Sequence, residues 1–119
     1  MSKILIVDDI RSEVQLISNL LGPQGYHCIQ ASDGVEAMER ARAERPDLIL
    51  LDIVMPGQDG FATCRQLKRD ATTKDIPVVI VSSKSGESDR FWAQKQGAAD
   101  YLAKPFAPDE LMTLVKRYA

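Results

Sequence analysis

The sequence predicts an α/β domain in which a five-stranded parallel sheet, doubly wound, is covered on both faces by five helices. Three observations carry that prediction. Uninterrupted apolar runs at 4–7, 48–51 and 78–81 are rich in Ile, Val and Leu, as strands buried on both faces must be. Segments with a helical period separate these runs. The connections between them are short, which implies right-handed crossovers in an open sheet.

The elements follow in order. The first run, 4–7, ends at Asp8-Asp9. Ile10, Val14, Ile17 and Leu21 then recur at helical spacing until Gly22-Pro23 stops the helix. A weaker strand signal at 28–31 precedes a second helix marked by Val35, Met38 and Ala41 and closed by Pro46. The run 48–51 leads to Asp52, and Phe61, Cys64 and Leu67 mark a third helix. After 78–81 comes Ser82, then a fourth helix over 87–96 that ends at Gly97. Tyr101-Leu102 gives the fifth strand signal. The last helix starts after Pro108-Asp109, with Leu111, Leu114, Val115 and Tyr118 on one stripe. Phe61, Phe91 and Trp92 read as core aromatics, because large rings on amphipathic helices usually pack inward; for Trp92 the alternative is a partner-binding face. No internal repeat, low-complexity tract or linker interrupts the chain, so a single domain is expected over 1–119, with no effector domain.

Composition narrows the function. The 119 residues are 45% hydrophobic and 27% charged, an ordinary globular balance. With 15 Lys and Arg against 17 Asp and Glu, the formal net charge is −2, which supplies no basic field for nucleic acid. No apolar stretch suffices for a signal peptide or a membrane span. Cys28 and Cys64 lack CxxC spacing and have only His27 as a companion ligand, which points to free thiols in a reducing compartment. A cytoplasmic monomer without nucleic-acid or membrane contacts is the expectation.

In an open α/β sheet, ligands bind beyond the carboxyl ends of the strands, where strand order reverses. The residues at those ends are Asp8 and Asp9 after the first run, Asp52 after the third, Ser82 after the fourth and Lys104 beyond the fifth. Taken singly, each could cap a helix or close a turn. Together they form a cluster whose three carboxylates repel one another unless a cation neutralises them. Oxygen-only ligands select Mg²⁺, with Mn²⁺ acceptable. The three aspartates and Lys104 sum to a formal −2, which one divalent ion cancels. Such a pocket suits a phosphoryl group. Asp52, alone at the end of a central strand, is the best-placed nucleophile for an acyl phosphate; Asp8 and Asp9 are better suited to holding the metal.

Four motifs carry a resemblance: Ile4-Leu5-Ile6-Val7-Asp8-Asp9, Leu50-Leu51-Asp52-Ile53-Val54-Met55-Pro56-Gly57, Val81-Ser82 and Lys104-Pro105-Phe106. In identity, order and spacing they resemble the receiver domain of two-component response regulators. The resemblance implies a flavodoxin-like, CheY-like fold with strand order 2-1-3-4-5. It implies that Asp52 is the phosphoacceptor, taking a phosphoryl group from a phosphohistidine on a sensor histidine kinase. Asp9, Asp52 and the Val54 carbonyl would bind Mg²⁺ directly, and Asp8 mainly through water. Lys104, in a cis Lys104–Pro105 bond, would contact the phosphoryl oxygens. Ser82 would swing toward the phosphate, and Tyr101 would turn inward as the aromatic switch. Val54 and Lys84 occupy the variable positions that tune the reaction. Partners would bind the face formed by the fourth helix, fifth strand and last helix. The resemblance implies a self-catalysed phosphoacceptor with autodephosphorylation rather than an enzyme acting on free substrates.

The segment from Ser82 to Trp92, with Gln96-Gly97-Ala98, is further similar to receivers of type IV pilus chemosensory systems of the PilH type, which implies a role in chemotactic or twitching motility. Three alternatives stand beside that reading. One is a phosphate sink for a shared kinase, and another is a phosphorylation-independent adaptor. The third, an aspartyl-phosphate phosphatase, needs Asp-x-Asp where this chain has Asp8-Asp9-Ile10. No GxxxxGK[ST] loop is present for nucleotide hydrolysis.

Overall fold

Strands and helices alternate along the chain in a computed structural model that describes residues 2–55 and 57–119. Met1 and Pro56, the latter part of the motif after Asp52, lie outside the described residues. The strands are β1 (Lys3–Val7), β2 (His27–Ala31), β3 (Leu48–Leu51), β4 (Val78–Ser82) and β5 (Asp100–Ala103). The helices are α1 (Arg11–Leu21), α2 (Gly34–Glu44), α3 (Gly60–Arg69), α4 (Glu87–Lys95) and α5 (Pro108–Tyr118). All strand pairs are parallel, in the order β2-β1-β3-β4-β5, as expected.

The continuous apolar runs are explained by two cores. Successive side chains of a strand point to opposite faces, so each run feeds both. On one face Leu5, Val7, Ile49, Leu51 and Ile80 pack with Ala37, Met38 and Ala41 of α2 and with Cys64 and Leu67 of α3. On the other, Ile4, Ile6, Leu48, Leu50 and Val81 pack with Val14, Ile17 and Leu21 of α1 and with Leu111, Leu114 and Val115 of α5. Burying each Leu or Ile side chain contributes roughly 1.5–3 kcal/mol. The sheet is therefore fixed from both sides, and its carboxyl edge is held rigidly.

Local signals set the helix ends. Asp33 and Asp59 cap α2 and α3, accepting the Glu36 and Ala62 N–H groups at 2.8 and 2.9 Å. Pro108 opens α5, where a missing N–H costs nothing. Ala107 N–H is satisfied by the Glu110 carboxylate at 2.8 Å. Gly22–Gln24 continue α1 as a 3₁₀ turn, closed by Gly25 at φ 93°.

The aromatic reading needs correcting. Phe61 packs partly buried against the core, but Phe91 and Trp92 are 52% and 54% exposed. Their rings stack edge to face at 5.9 Å. The buried residue of α4 is Ala93. Trp92 and Phe91 lie about 100° and 200° around the helix from it, so neither can share its stripe. Ile10 and Val35, counted above on apolar stripes, are also exposed. Ile10 precedes the first turn of α1, and α2 buries Gly34 and Ala37 instead of Val35. Among the described residues, no helix is long and apolar enough to cross a membrane.

Candidate functional site

Register builds the site. Val7 pairs with Leu51 across β1 and β3, so the next residues, Asp8 and Asp52, emerge side by side where the strand order reverses. Backbone bonds lock them there: Asp8 N–H donates to Ala31 O and Asp52 N–H to Val7 O, both at 3.0 Å. On the other side of β3, Lys104 N–H donates to Ser82 O at 2.9 Å, which sets the start of the β5–α5 loop against the end of β4. The Lys104–Pro105 peptide bond is cis.

Asp8 and Asp52 are 4% and 7% exposed and are held alike. One oxygen of each accepts the N–H two residues on, Ile10 for Asp8 and Val54 for Asp52, both at 3.0 Å, closing an Asx turn. The other oxygen of each accepts from Lys104 Nζ, at 2.7 Å for Asp8 and 3.3 Å for Asp52. Glu13 Oε2 lies 4.0 Å from the same ammonium. Burial lowers the Lys104 pKa, but the Asp8 hydrogen bond and the charges of Asp52, Asp8 and Glu13 outweigh it, leaving a net rise. For Asp8 the balance tips the other way. Burial first, with the Asp52 charge adding, raises its carboxyl pKa by more than the Lys104 hydrogen bond, the Ile10 N–H and the Lys104 charge lower it. The ion pair thus forms at a cost to Asp8.

The remaining expected residues are less closely joined. Asp9 is exposed and shares with Asp8 a neighbouring recess that Arg11, Ser32 and Arg40 also line. Among the described residues, no three carboxylate, imidazole or thiolate groups form a ready-made metal cage; the ammonium of Lys104 stands between Asp8 and Asp52 instead. The donor set nevertheless suits a hard divalent ion, since two buried carboxylates end there without thiolate or imidazole. Ser82 is fully buried, its Oγ accepting Lys84 N–H at 3.2 Å. The Tyr101 hydroxyl donates to the Lys84 carbonyl, and Arg90 lies over the Tyr101 ring at 4.9 Å. The backbone of Lys84 therefore joins Ser82 to Tyr101, while its side chain is exposed.

A cleft of about 460 Å³ opens over Asp52 and Lys104, walled by Ile10, Glu13, Leu16, Val54 and Phe106. A larger recess of about 540 Å³ is lined by Val35, Met38, Arg42 and Asp70. It holds a satisfied pair, Arg42 donating to Asp70 at 2.7 and 2.9 Å, and no buried carboxylate, so the smaller cleft, where buried Asp52 meets Lys104, is the candidate site. Two of its determinants escape a reading by strand ends. Glu13 sits on the first turn of α1, five residues after Asp8. Gly60 opens α3 where a Cβ would collide with the backbone of Asp52 and Ile53. A glycine just inside a capped helix, where helix propensity disfavours it, was the available signal.

A family model described as "Response regulator receiver domain" matches residues 4–116. The chain is 44% identical over 115 residues to protein PilH of Pseudomonas aeruginosa, covering 97% of this chain and 95% of that one. It is 43% identical to the response regulator PleD of Caulobacter vibrioides, covering 97% of this chain but only 25% of PleD. In structure it resembles the chemotaxis protein CheY4 of Vibrio cholerae, with a TM-score of 0.94, 31% identity and coverage of 100% and 99% of the two chains. It also resembles the receiver domain of sensor histidine kinase PA1611 from P. aeruginosa, with a TM-score of 0.90, 30% identity and coverage of 98% and 96%. That domain has a magnesium ion coordinated in its active-site cleft. With the strand order, the paired aspartates on one lysine and a family match spanning the sheet and its helices all in agreement, this chain belongs to the response regulator receiver domains.

Proposed function

We propose that this chain accepts a phosphoryl group on Asp52 from a phosphohistidine of a sensor histidine kinase, in a magnesium-dependent reaction, and that the phosphorylated form binds a downstream protein. The observation that carries this reading is the pair of buried carboxylates, Asp8 and Asp52, sharing the Lys104 ammonium, with Asp52 and Lys104 lining an open cleft. The Asx turn at Val54 orients the Asp52 carboxylate toward that cleft. As an Asp52 oxygen bonds to phosphorus, the P–N bond of the donor breaks and its electron pair leaves on nitrogen. Lys104 faces the oxygens on which charge develops. Asp9, Asp52 and the Val54 carbonyl would hold the magnesium, with Asp8 reached through water; the ion supplies neutralisation of the phosphoryl oxygens. Val54, half exposed on the cleft wall, offers an attacking water no hydrogen bond.

Phosphorylation adds about one further negative charge to the pocket, and Ser82 carries a hydroxyl at the end of β4, the strand beside β3. Its movement would break the bond to Lys84 N–H and disturb the Tyr101 hydroxyl on the Lys84 carbonyl. The readout is then the face of α4, β5 and α5, where Arg90 and Gln94 of α4 stand beside Tyr101. Identity to PilH supports a chemosensory pathway of pilus-based motility, acting in the cytoplasm.

Incubation with acetyl phosphate and Mg²⁺ tests the assignment by intact mass. One hydroxylamine-labile phosphoryl group per chain is expected, with none on Asp52→Asn. Equal labelling of Asp52→Asn would overturn the phosphoacceptor, and sustained phosphate release with turnover would establish a phosphatase instead.

A further inference from the structure

We propose that Glu13 selects the phosphodonor by the charge of its leaving group, favouring a protonated nitrogen over a carboxylate. The proposal rests on Asp52 being the phosphoacceptor. Glu13 Oε2, at 4.0 Å, is the third carboxylate facing Lys104 after those of Asp8 and Asp52. It differs from both in exposure: its side chain is 33% exposed, against 3% and 8%. Of the three it stands nearest the opening of the cleft. In-line displacement requires the leaving group to depart on the side of phosphorus opposite Asp52. Asp52 and Glu13 line the same cleft, so a leaving group departing into it meets the Glu13 carboxylate.

The neighbours of Glu13 make its charge felt. Ile10, Leu16, Val54 and Phe106 share the wall, and a donor seated among them displaces water, so screening weakens. In an N-phosphoryl donor the Asp52–phosphorus bond forms as the P–N bond breaks. The electron pair stays on nitrogen, and the donor's proton lets it depart as a neutral amine or imidazole. Until then the donor carries positive charge beside the Glu13 carboxylate, which attracts it. An acyl phosphate instead releases a carboxylate, whose growing negative charge Glu13 repels.

The test compares second-order labelling rates with phosphoramidate and with acetyl phosphate, at one Mg²⁺ concentration and one ionic strength. In Glu13→Gln the phosphoramidate to acetyl phosphate rate ratio should fall roughly three- to tenfold, the effect of one unit charge a few ångströms away in a partly screened cleft. Glu13→Lys should lower the ratio further, and Glu13→Asp should keep it near the wild-type value. Added salt should shrink the differences. If Glu13 only steadies Lys104, both rates fall together and the ratio holds, which overturns the proposal. If it only favours the first turn of α1 through the helix dipole, melting temperature drops while both rates hold, which also overturns it. Failure of wild-type protein to label with either donor overturns the phosphoacceptor reading itself, a result separable from an unchanged ratio.

Discussion

Asp8 and Asp52 differ from ordinary helix-capping aspartates in where the second oxygen goes. The first oxygen of each accepts a backbone N–H two residues on, as many turn aspartates do; the second meets Lys104 in a buried setting. The sequence placed both carboxylates and the lysine at strand ends, because a run of apolar residues that stops at Asp is visible without coordinates. It could not show that Lys104 bridges two of the aspartates while Asp9 turns outward, since that depends on side-chain direction after the strand. Gly60 was equally hidden, its constraint arising from the backbone of a loop eight residues earlier. Gly60→Ala would press a methyl group against the backbone of Asp52 and Ile53. We expect a loss of roughly 1–3 kcal/mol, the usual cost of overpacking, together with slower labelling of Asp52. Urea unfolding and the labelling time course check both, and full stability with an unchanged rate would show that the loop yields. Cys64, by contrast, is a structural thiol: burial pushes its pKa up to about 11, outside the range in which a thiolate would compete with Asp52 chemistry.

Elements were legible in proportion to how their sequence signal depends on neighbours. β3 matches its apolar run residue for residue, and β1 and β4 extend theirs by one residue each. A strand buried on both faces needs no knowledge of its partner to be recognised. α4 was read correctly in extent but not in orientation. Phe91, Trp92 and Ala93 are consecutive, so the sequence offers three candidate inward faces, and only the packing against β5 and α3 selects Ala93. Beside Tyr101 of β5, α4 places Arg90, Ala93 and Gln94, and the aromatics face solvent. Helix ends followed local chemistry more reliably. Asp33 accepts Glu36 N–H, and the Glu36 carboxylate returns a bond to Ser32 N–H at 2.6 Å, so α2 begins with a reciprocal cap. Asp33→Ala should cost about 1 kcal/mol and lower the melting temperature without changing the labelling of Asp52. A melting curve unchanged within error would mean that the tertiary packing of Ala37, Met38 and Ala41 alone sets the start of α2.

Across the whole molecule, the sheet gathers charge at one edge while both its faces are apolar. The formal −2 of Asp8, Asp9, Asp52 and Lys104 equals the net charge of the chain, so the remaining charges balance and the imbalance is local to the site. Such a concentration suits the proposed phosphoryl chemistry and opposes folding, and Asp8 shows the conflict most directly. Its carboxyl pKa is raised, first by burial, with the Asp52 charge adding and Lys104 and the Ile10 N–H opposing. An acid with a raised pKa binds its proton more tightly in the folded chain than in the unfolded one. Ionising it therefore costs stability. That cost is absent below the ordinary value of 3.8 and grows as pH rises through the folded value. Asp8→Asn removes the charge and keeps one oxygen, for the Ile10 N–H, leaving Lys104 to Asp52 and Glu13. We expect the variant to be more stable at about pH 7 by roughly 0.5–2 kcal/mol, the usual gain from relieving an unfavourable site charge. The gap should narrow as pH falls toward the ordinary value of 3.8, because wild-type Asp8 takes up its proton above it. The raised pKa of Lys104 does not blur this result. Its contribution is complete below the ordinary lysine value of 10.5 and is lost only in strong alkali. Urea unfolding across that pH range measures the difference. A variant less stable than wild type at neutral pH would mean that the Asp8–Lys104 ion pair outweighs the burial of its carboxylate.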